Sequence, residues 1–435
     1  MKQNIFTAIA LAVVMLGGCA TKPFRTATTP LWDASPTRDK IVVCSDIHIG
    51  VEDAYAENVA NRPYFVEFVN RLAETTDVRE LVLNGDFLDE WYLPLSYVET
   101  DRTAFYQKNL DNNPTVIKAL KNAIASGIKV VYIVGNHDMS IKQQMIEQAI
   151  PGIIVVNQPL GVGLYRTGDR GEIALEHGHR YDVYSAPDTI TNAAITTGET
   201  MLPPGYWYAR YAADWVIAGK PSFPPDIPAI TTVPDKTKDR DQYYAYAYYR
   251  TLAVEFTRIT LGNAFSDKIF DIQVDGYNGT YSLQDLFPVL NNDGKITAPL
   301  LYPNYQRTWD ARQEANGVKV KSDFGEAALG ALGGAYFEKQ ARMQYDVDKT
   351  ESPVEVVSFG HTHIPEFYSY GPGRFYINTG TWIDHNTNYK EGDGSMLSRT
   401  FTVITTGAQD KVDVYQYQTD GNLRDIKAML LTDHP

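Results

Sequence analysis

Six of the chain's eight histidines fall inside four short runs, and a fifth run of the same character carries two aspartates. In order the five are Ser45-Asp46-Ile47-His48, Gly85-Asp86-Phe87-Leu88-Asp89, Gly135-Asn136-His137-Asp138, His177-Gly178-His179 and Gly360-His361-Thr362-His363. Only His385 and His434 stand apart. Carboxylate and amide oxygens are hard donors and imidazole is a borderline one, a mixture that suits divalent Mn, Fe, Zn or Co. The donors are too many for one four-coordinate ion and about enough for two ions sharing a bridging carboxylate. Loop residues that merely cap turns are the plainer explanation, but caps draw on Ser, Asp and Asn, not on paired histidines.

The positions of the runs constrain the fold. Short β-branched segments at 41–44, 80–83 and 129–134 alternate with amphipathic stretches near 60–75 and 114–126. This is the βαβ rhythm of a largely parallel sheet. Each of the three segments leads straight into a donor run, and the carboxyl ends of parallel strands are where an open α/β sheet presents its functional loops. Further strands are expected at 153–156 and 172–176. Those at 354–359, 374–378, 400–405 and 411–417 are expected to form a second sheet. In an extended segment residues i and i+2 point to one side, so Asp46 with His48, and His361 with His363, would each address one cluster.

Between His179 and Gly360 the chain is interrupted by a stretch too long for a loop. Helices are expected at 206–219, 241–260, 282–290, 303–315 and 325–344, making residues 185–350 a mostly helical cap inserted into a domain formed by 40–184 and 351–435. Trp207, Tyr211 and Trp215 lie four apart on one helical face, and residues 243–249 add five tyrosines. Packing against the core is the preferred reading of these aromatics. Asp271-Ile272-Gln273-Val274-Asp275-Gly276 opens like a calcium loop, but position twelve is Ser282 where glutamate is needed. A phosphate-binding Walker loop, zinc-finger spacing, internal repeats and a Gly-x-Ser-x-Gly elbow are all absent from the sequence.

The first residues read as a targeting segment. Lys2 precedes an apolar run from Ile5 to Leu16 that is short for a membrane span, and Leu16-Gly17-Gly18-Cys19 resembles the bacterial lipobox. That resemblance implies cleavage before Cys19 and its lipidation; Ala20, where inner-membrane retention would show Asp, favours the outer membrane, facing the periplasm or the surface. Residues 20–39 then read as a polar tether. With Cys19 used by the anchor, Cys44 has no partner for a disulfide, and its place in an apolar run marks it as a buried strand residue. A formal net charge of −14 speaks against a broad nucleic-acid surface.

The five runs, in this order, resemble the calcineurin-like metallophosphoesterase superfamily. That resemblance implies an α/β fold, a two-sheet sandwich flanked by helices, around two divalent ions (Mn, Fe or Zn). It assigns Asp46, His48 and His363 to the first ion, Asp86 as the bridge, and Asn136, His177 and His361 to the second, with His177 preferred over His179. It further implies attack on phosphorus by a metal-bridging hydroxide, with His137 as the acid for the leaving oxygen and Asp89 orienting that histidine. Asp138 is expected to be a structural hydrogen-bond acceptor.

In the protein phosphatases of this superfamily an arginine follows the second aspartate; here the residues are Glu90 and Trp91. The motif style is closer to the UDP-2,3-diacylglucosamine diphosphatase branch, whose members act at the cytoplasmic face, whereas this chain reads as exported. The expected activity is therefore hydrolysis of a small phosphomonoester or diester, with an amphiphilic or sugar-phosphate substrate as the more specific expectation. The alternatives are a non-catalytic binding lipoprotein on the same scaffold and a metal-dependent nuclease.

Overall fold

The computed structural model describes residues 30–98, 100–198, 200–331, 334–384 and 397–433. The expected signal segment with Cys19, and both His385 and His434, lie outside them. In chain order the first half contains β1 (Lys40–Cys44), α1 (Arg62–Glu74), β2 (Val78–Asn84), α2 (Arg102–Asn112), α3 (Pro114–Ala125), β3 (Lys129–Ile133), α4 (Gln143–Ala149), β4 (Ile154–Val156), β5 (Leu164–Thr167) and β6 (Ile173–Glu176). The long interruption follows, with α5 (Pro204–Ile217), α6 (Arg240–Phe256), β7 (Phe270–Ile272), β8 (Gly279–Tyr281), β9 (Val289–Leu290), β10 (Ile296–Thr297), α7 (Tyr305–Ala315), α8 (Phe324–Gly330) and α9 (Gly334–Tyr345). The chain closes with β11 (Val356–Phe359), β12 (Glu366–Ser369), β13 (Phe375–Asn378), β14 (Thr400–Thr405), β15 (Lys411–Tyr417), β16 (Leu423–Asp425), α10 (Lys427–Leu430) and β17 (Leu431–Asp433).

Two sheets face each other. The first runs β16-β15-β14-β1-β2-β3-β4 and the second β17-β12-β13-β11-β6-β5. In the first, β1 to β4 are mutually parallel; in the second, β11 runs parallel to both β6 and β13. Strand alternation divides the side chains between two cores. Ile41, Val43, Val82, Val131 and Ile133 meet Ile173, Leu175, Val356 and Ile377 between the sheets. Val42, Cys44, Leu81, Leu83 and Val130 point the other way, onto Phe65, Phe68, Val69 and Leu72 of α1 and Val116 and Leu120 of α3. Strands covered on both faces read as unbroken apolar runs, which is what made β1 to β3 visible in the sequence.

One expectation is corrected. The strands at 400–405 and 411–417 exist, but they join the first sheet: β14 pairs antiparallel with β1, with Ile41 opposite Ile404, and β15 continues outward. Alternation of apolar residues specifies which face of a strand is buried, not which sheet it joins.

The longer elements of the interruption are helices, α5 to α9, but most of its residues lie outside them, in loops and two short strand pairs. The stretch 282–290 is not a helix: a single 3-10 turn, Leu283–Asp285, is closed by reciprocal Ser282 and Asp285 bonds, and β9 follows at once. Pro288, with no N–H to donate, stands where a helix would have to continue. The stretch 325–344 is divided into α8 and α9, in a sequence with glycines at 330, 333 and 334. Trp207 and Tyr211 are buried, and the Trp207 indole donates to the Tyr302 hydroxyl at 2.8 Å, in keeping with the packing reading. Asp275 accepts from Thr200 Oγ1 (2.8 Å), the Met201 amide (2.6 Å) and Arg102 (2.9 Å), serving as a strap rather than a calcium ligand. Arg210 of α5 ties the insertion to the loop after β2, donating to the carbonyls of Leu93 (2.8 Å), Pro94 (2.7 Å) and Tyr97 (2.6 Å).

Of the stretch read as a tether, the described part lies on the domain: the Trp32 indole and the Ser35 amide donate to Asp77, and Arg38 donates to Val78 O at 2.8 Å. At the other end of the chain, burial and then the charge of Glu338 on α9 push the Glu366 carboxyl on β12 up to about 7. A carboxyl raised in the fold stabilises it below its unfolded value, and that stability is lost as pH rises through about 7. Glu366→Gln removes the penalty, so the variant is expected to be more stable than wild type at pH ~8 by about 2 kcal/mol and equal to it at pH ~4. Denaturant midpoints at the two pH values check this; equal midpoints at the higher pH count against a buried charge.

Candidate metal centre

All five donor runs converge at the carboxyl ends of parallel strands: β1 leads to Asp46, β2 to Asp86, β3 to Asn136, β6 to His177 and β11 to His361. The backbone beyond those strands is not extended. Asp46 (φ 54°), His48 (φ 51°), Asp86 (φ 51°), His361 (φ 72°) and His363 (φ 59°) all adopt left-handed conformations. The paired spacing therefore does not arise from strand alternation, as the sequence suggested, but from successive left-handed turns that fold each donor back on the same point. Such residues cost of order 1–3 kcal/mol each and persist where surrounding contacts hold them. Two glycines make room for the convergence. A Cβ at Gly135 would lie 2.1 Å from Asp86 Oδ1, and one at Gly85 (φ 90°) would lie 2.2 Å from His177 Nδ1.

The side chains gather in two groups around Asp86. In the first, His363 Nε2 lies 3.2 Å from Asp46 Oδ1 and 3.1 Å from His48 Nε2. In the second, Asn136 Oδ1 lies 2.9 Å from His361 Nδ1 and 3.1 Å from His177 Nε2. Asp86 Oδ2 reaches both, at 3.7 Å from His48 Nε2 and 3.0 Å from His177 Nε2. His179 turns away, with its Nε2 3.0 Å from the Gly161 carbonyl. His137 and Asp89 stand beside the first group: Asp89 Oδ1 is 2.9 Å from His137 Nδ1, and Asp89 Oδ2 is 2.7 Å from His48 Nδ1. Asp138 accepts from the amides of Gly135 (2.5 Å) and Phe87 (2.8 Å) and from the Tyr132 hydroxyl (2.5 Å).

Whether cations fit here follows from where the protons sit. His177 Nδ1 faces the Asn84 carbonyl at 2.9 Å, His48 Nδ1 faces Asp89, and His361 Nε2 faces Asp182 Oδ2 at 3.0 Å. Each of those partners only accepts, so in a neutral imidazole the proton is on that nitrogen and the other nitrogen presents a lone pair. The lone pairs of His48 and His177 thus point at the carboxylates of Asp46 and Asp86, and those of His177 and His361 at the Asn136 oxygen. Acceptors crowded within about 3 Å of one another repel unless a positive charge lies between them, and bound divalent ions answer that arrangement.

Without such ions the charge is met by protons. Burial opposes ionisation of Asp46 and Asp86, but nearby imidazoles, His177 foremost, hold both well below the usual carboxylate range. Burial likewise works against protonated His177, yet Asp86 and Asp46 push it up to about 9. His137 is raised too, because Asp89 and Asp86 outweigh its burial. Burial, with His177 adding to it, drives His179 well below the ordinary histidine value.

Sequence reasoning missed Asp182, which faces His361, and Ser45, whose hydroxyl donates to Asp46. Asp182 sits five residues past His177 in no recognisable run, so no sequence signal marks it. A cleft of about 540 Å³ opens from Asp182 and His361 toward the insertion. Leu252, Phe256, Phe337 and Ile364 give it an apolar wall, and Glu255 and Arg258 also line it.

A two-sheet fold with clustered Asp, Asn and His donors at its strand ends is built to hold divalent cations. Residues 39–229 of the chain match the sequence profile of the calcineurin-like phosphoesterase family, and the Gly360–His363 run reaches the same centre from beyond the matched segment. Among solved structures it is similar to a dimetal phosphatase from Danio rerio, at 10% identity over 87% of this chain and 95% of that one, with a TM-score of 0.33. It is also similar to a phosphopantetheinyl hydrolase from Mycobacterium tuberculosis, at 11% identity over 79% and 89% of the two chains, with a TM-score of 0.24. No curated protein matches the sequence.

Proposed function

We propose that the protein hydrolyses a small phosphomonoester or phosphodiester at a two-metal centre, with Asp46, His48 and His363 holding one ion, Asn136, His177 and His361 the other, and Asp86 both. The observation that carries this reading is the convergence of imidazole lone pairs and carboxylate oxygens around Asp86. Bound divalent ions would supply charge for the phosphoryl oxygens and lower the pKa of water near neutral pH. The chain's own part is to fix the ester and deliver a proton. His137, held at Nδ1 by Asp89, keeps Nε2 free to give a proton to the leaving oxygen, and its raised affinity for that proton suits an acid at neutral pH. Trp91 packs on its ring with centroids 4.7 Å apart and limits its rotation.

The cleft supports an amphiphilic or sugar-phosphate substrate whose leaving group lies against Leu252, Phe256 and Ile364. The lipobox supports a lipid-anchored enzyme exported to a bacterial outer membrane, a reading checked by the mass of the mature N-terminus. The central experiment combines metal analysis with a phosphate-release screen over mono-, di- and pyrophosphate esters, soluble and lipid-linked. Chelation is expected to abolish turnover, and Mn²⁺ or Zn²⁺ to restore it. Turnover that persists after both ions are removed would sink the two-metal reading, and activity confined to soluble nucleotides would sink the amphiphilic one.

A further inference from the structure

His361 is gripped at both ring nitrogens. Nδ1 faces Asn136 Oδ1 at 2.9 Å, and Nε2 faces Asp182 Oδ2 at 3.0 Å. Asp182 is buried and follows directly on the turn His179–Tyr181. Its other oxygen accepts the Tyr184 amide at 2.9 Å, and its backbone carbonyl accepts from Ser185 (3.1 Å) and Ala186 (2.7 Å). The insertion braces the same place: Tyr305 of α7 donates to the Val183 carbonyl, and Phe337 of α9 meets the His361 ring edge-on at 5.4 Å. Asp182 is therefore not a mobile surface acid that happens to lie near an imidazole. Its carboxylate is aimed.

The consequence concerns one proton. A neutral imidazole carries a single N–H, and His361 has two acceptors competing for it. If the proton sat on Nδ1, it would bond to Asn136 Oδ1 at a good distance, and the lone pair needed for a cation would be turned away. A carboxylate at Nε2 is the stronger acceptor and draws the proton there. We propose that Asp182 is a positioning residue that selects the Nε2–H form of His361 and so keeps Nδ1 open toward Asn136. This rests on the reading of Asn136 and His361 as ligands of one ion, and it makes that metal position depend on a residue at the root of the insertion.

Two substitutions separate this role from simple packing. In Asp182→Asn the Tyr184 amide still needs an acceptor, so the new side chain sets its oxygen there and turns its NH₂ toward His361. That NH₂ donates to Nε2 and forces the proton onto Nδ1. Asp182→Ala removes the preference without reversing it. The isostere is thus expected to do more harm than the truncation, an order that loss of packing would invert.

The full-length protein, stripped with a chelator and labelled with ¹⁵N-histidine, gives the first readout. Long-range nitrogen–proton correlations above the imidazole titration range report which nitrogen carries the proton. Wild type is expected to show Nε2–H at His361, Asp182→Asn to show Nδ1–H, and Asp182→Ala a mixture. The second readout is Zn²⁺ competition against a chromophoric chelator. The second ion is expected to weaken about 10–100-fold in Asp182→Asn and less in Asp182→Ala, with the first ion unchanged. Circular dichroism confirms that each variant is folded. Nε2–H retained in Asp182→Asn, or two Zn²⁺ bound by it as tightly as by wild type, overturns the proposal. A wild type that binds no Zn²⁺ while its tautomer still follows residue 182 overturns the ligand reading and upholds the tautomer selection.

Discussion

Alanine at His137 is expected to lower kcat by about 10²–10⁴ while leaving both ions bound. Metal content should survive because the imidazole of His137 bonds Asp89, and the one bond His137 makes to Asp86 is from its backbone amide at 2.9 Å. Alanine keeps that amide. The size of the loss should depend on the leaving group. An alkoxide needs a proton as the ester bond breaks, whereas a nitrophenolate leaves without one. The fall should therefore be large for alkyl phosphates and small for p-nitrophenyl phosphate. The alkaline limb of the pH–rate profile should also disappear, since an acid works only below its own pKa and Asp89 and Asp86 hold that of His137 above the ordinary value. Equal losses on both esters, or loss of an ion from the variant, would place His137 in the ligand set instead.

The same residues show how far the sequence could be read. β1, β2 and β3 were legible because burial on both faces leaves continuous apolar runs, and a donor run after each strand located the centre. The sheet joined by β14 and β15 was not legible, because the apolar pattern fixes a face and not a neighbour. The helices α2 and α4 were missed for a related reason. In α2 the buried residues are Phe105, Tyr106, Asn109 and Leu110, a polar residue among them and no long apolar stripe. The convergence of Asp46 with His48 was expected for the wrong reason: they approach the same point through left-handed backbone, which no hydrophobic periodicity encodes. Asp182 could not be found at all. Its partner His361 lies 179 residues away along the chain, and one aspartate in a turn carries no signal. The clustered donors were written in short local runs; the carboxylates that face their imidazoles are a product of tertiary packing, except for Asp89, which shares a run with Asp86.

Asp89 is expected to act on the metal before it acts on the acid. Its two oxygens are unequally committed. Oδ1 accepts from His137 and from the amides of Trp91 and Tyr92, each at 2.8 Å, while Oδ2 faces the imidazole of His48, with Glu57 3.4 Å from the same nitrogen. In Asp89→Asn two fixed backbone donors hold the amide oxygen at the Oδ1 position, so the hydrogen bond to His137 survives. The amide nitrogen then takes the Oδ2 position and donates to His48 Nδ1. His48 must carry its proton on Nε2, where the lone pair for the first ion belongs. Affinity at that position is expected to fall about 10–100-fold, with turnover falling alongside and returning as Zn²⁺ or Mn²⁺ is raised. Asp89→Ala should differ: it frees both imidazoles, so excess metal restores only part of the rate. Metal titration of kcat/KM in the two variants decides the matter. Full rescue of the asparagine variant alone is the expected outcome. An asparagine variant that binds both ions normally but turns over slowly would show that Asp89 serves His137 and has no hold on the first metal position.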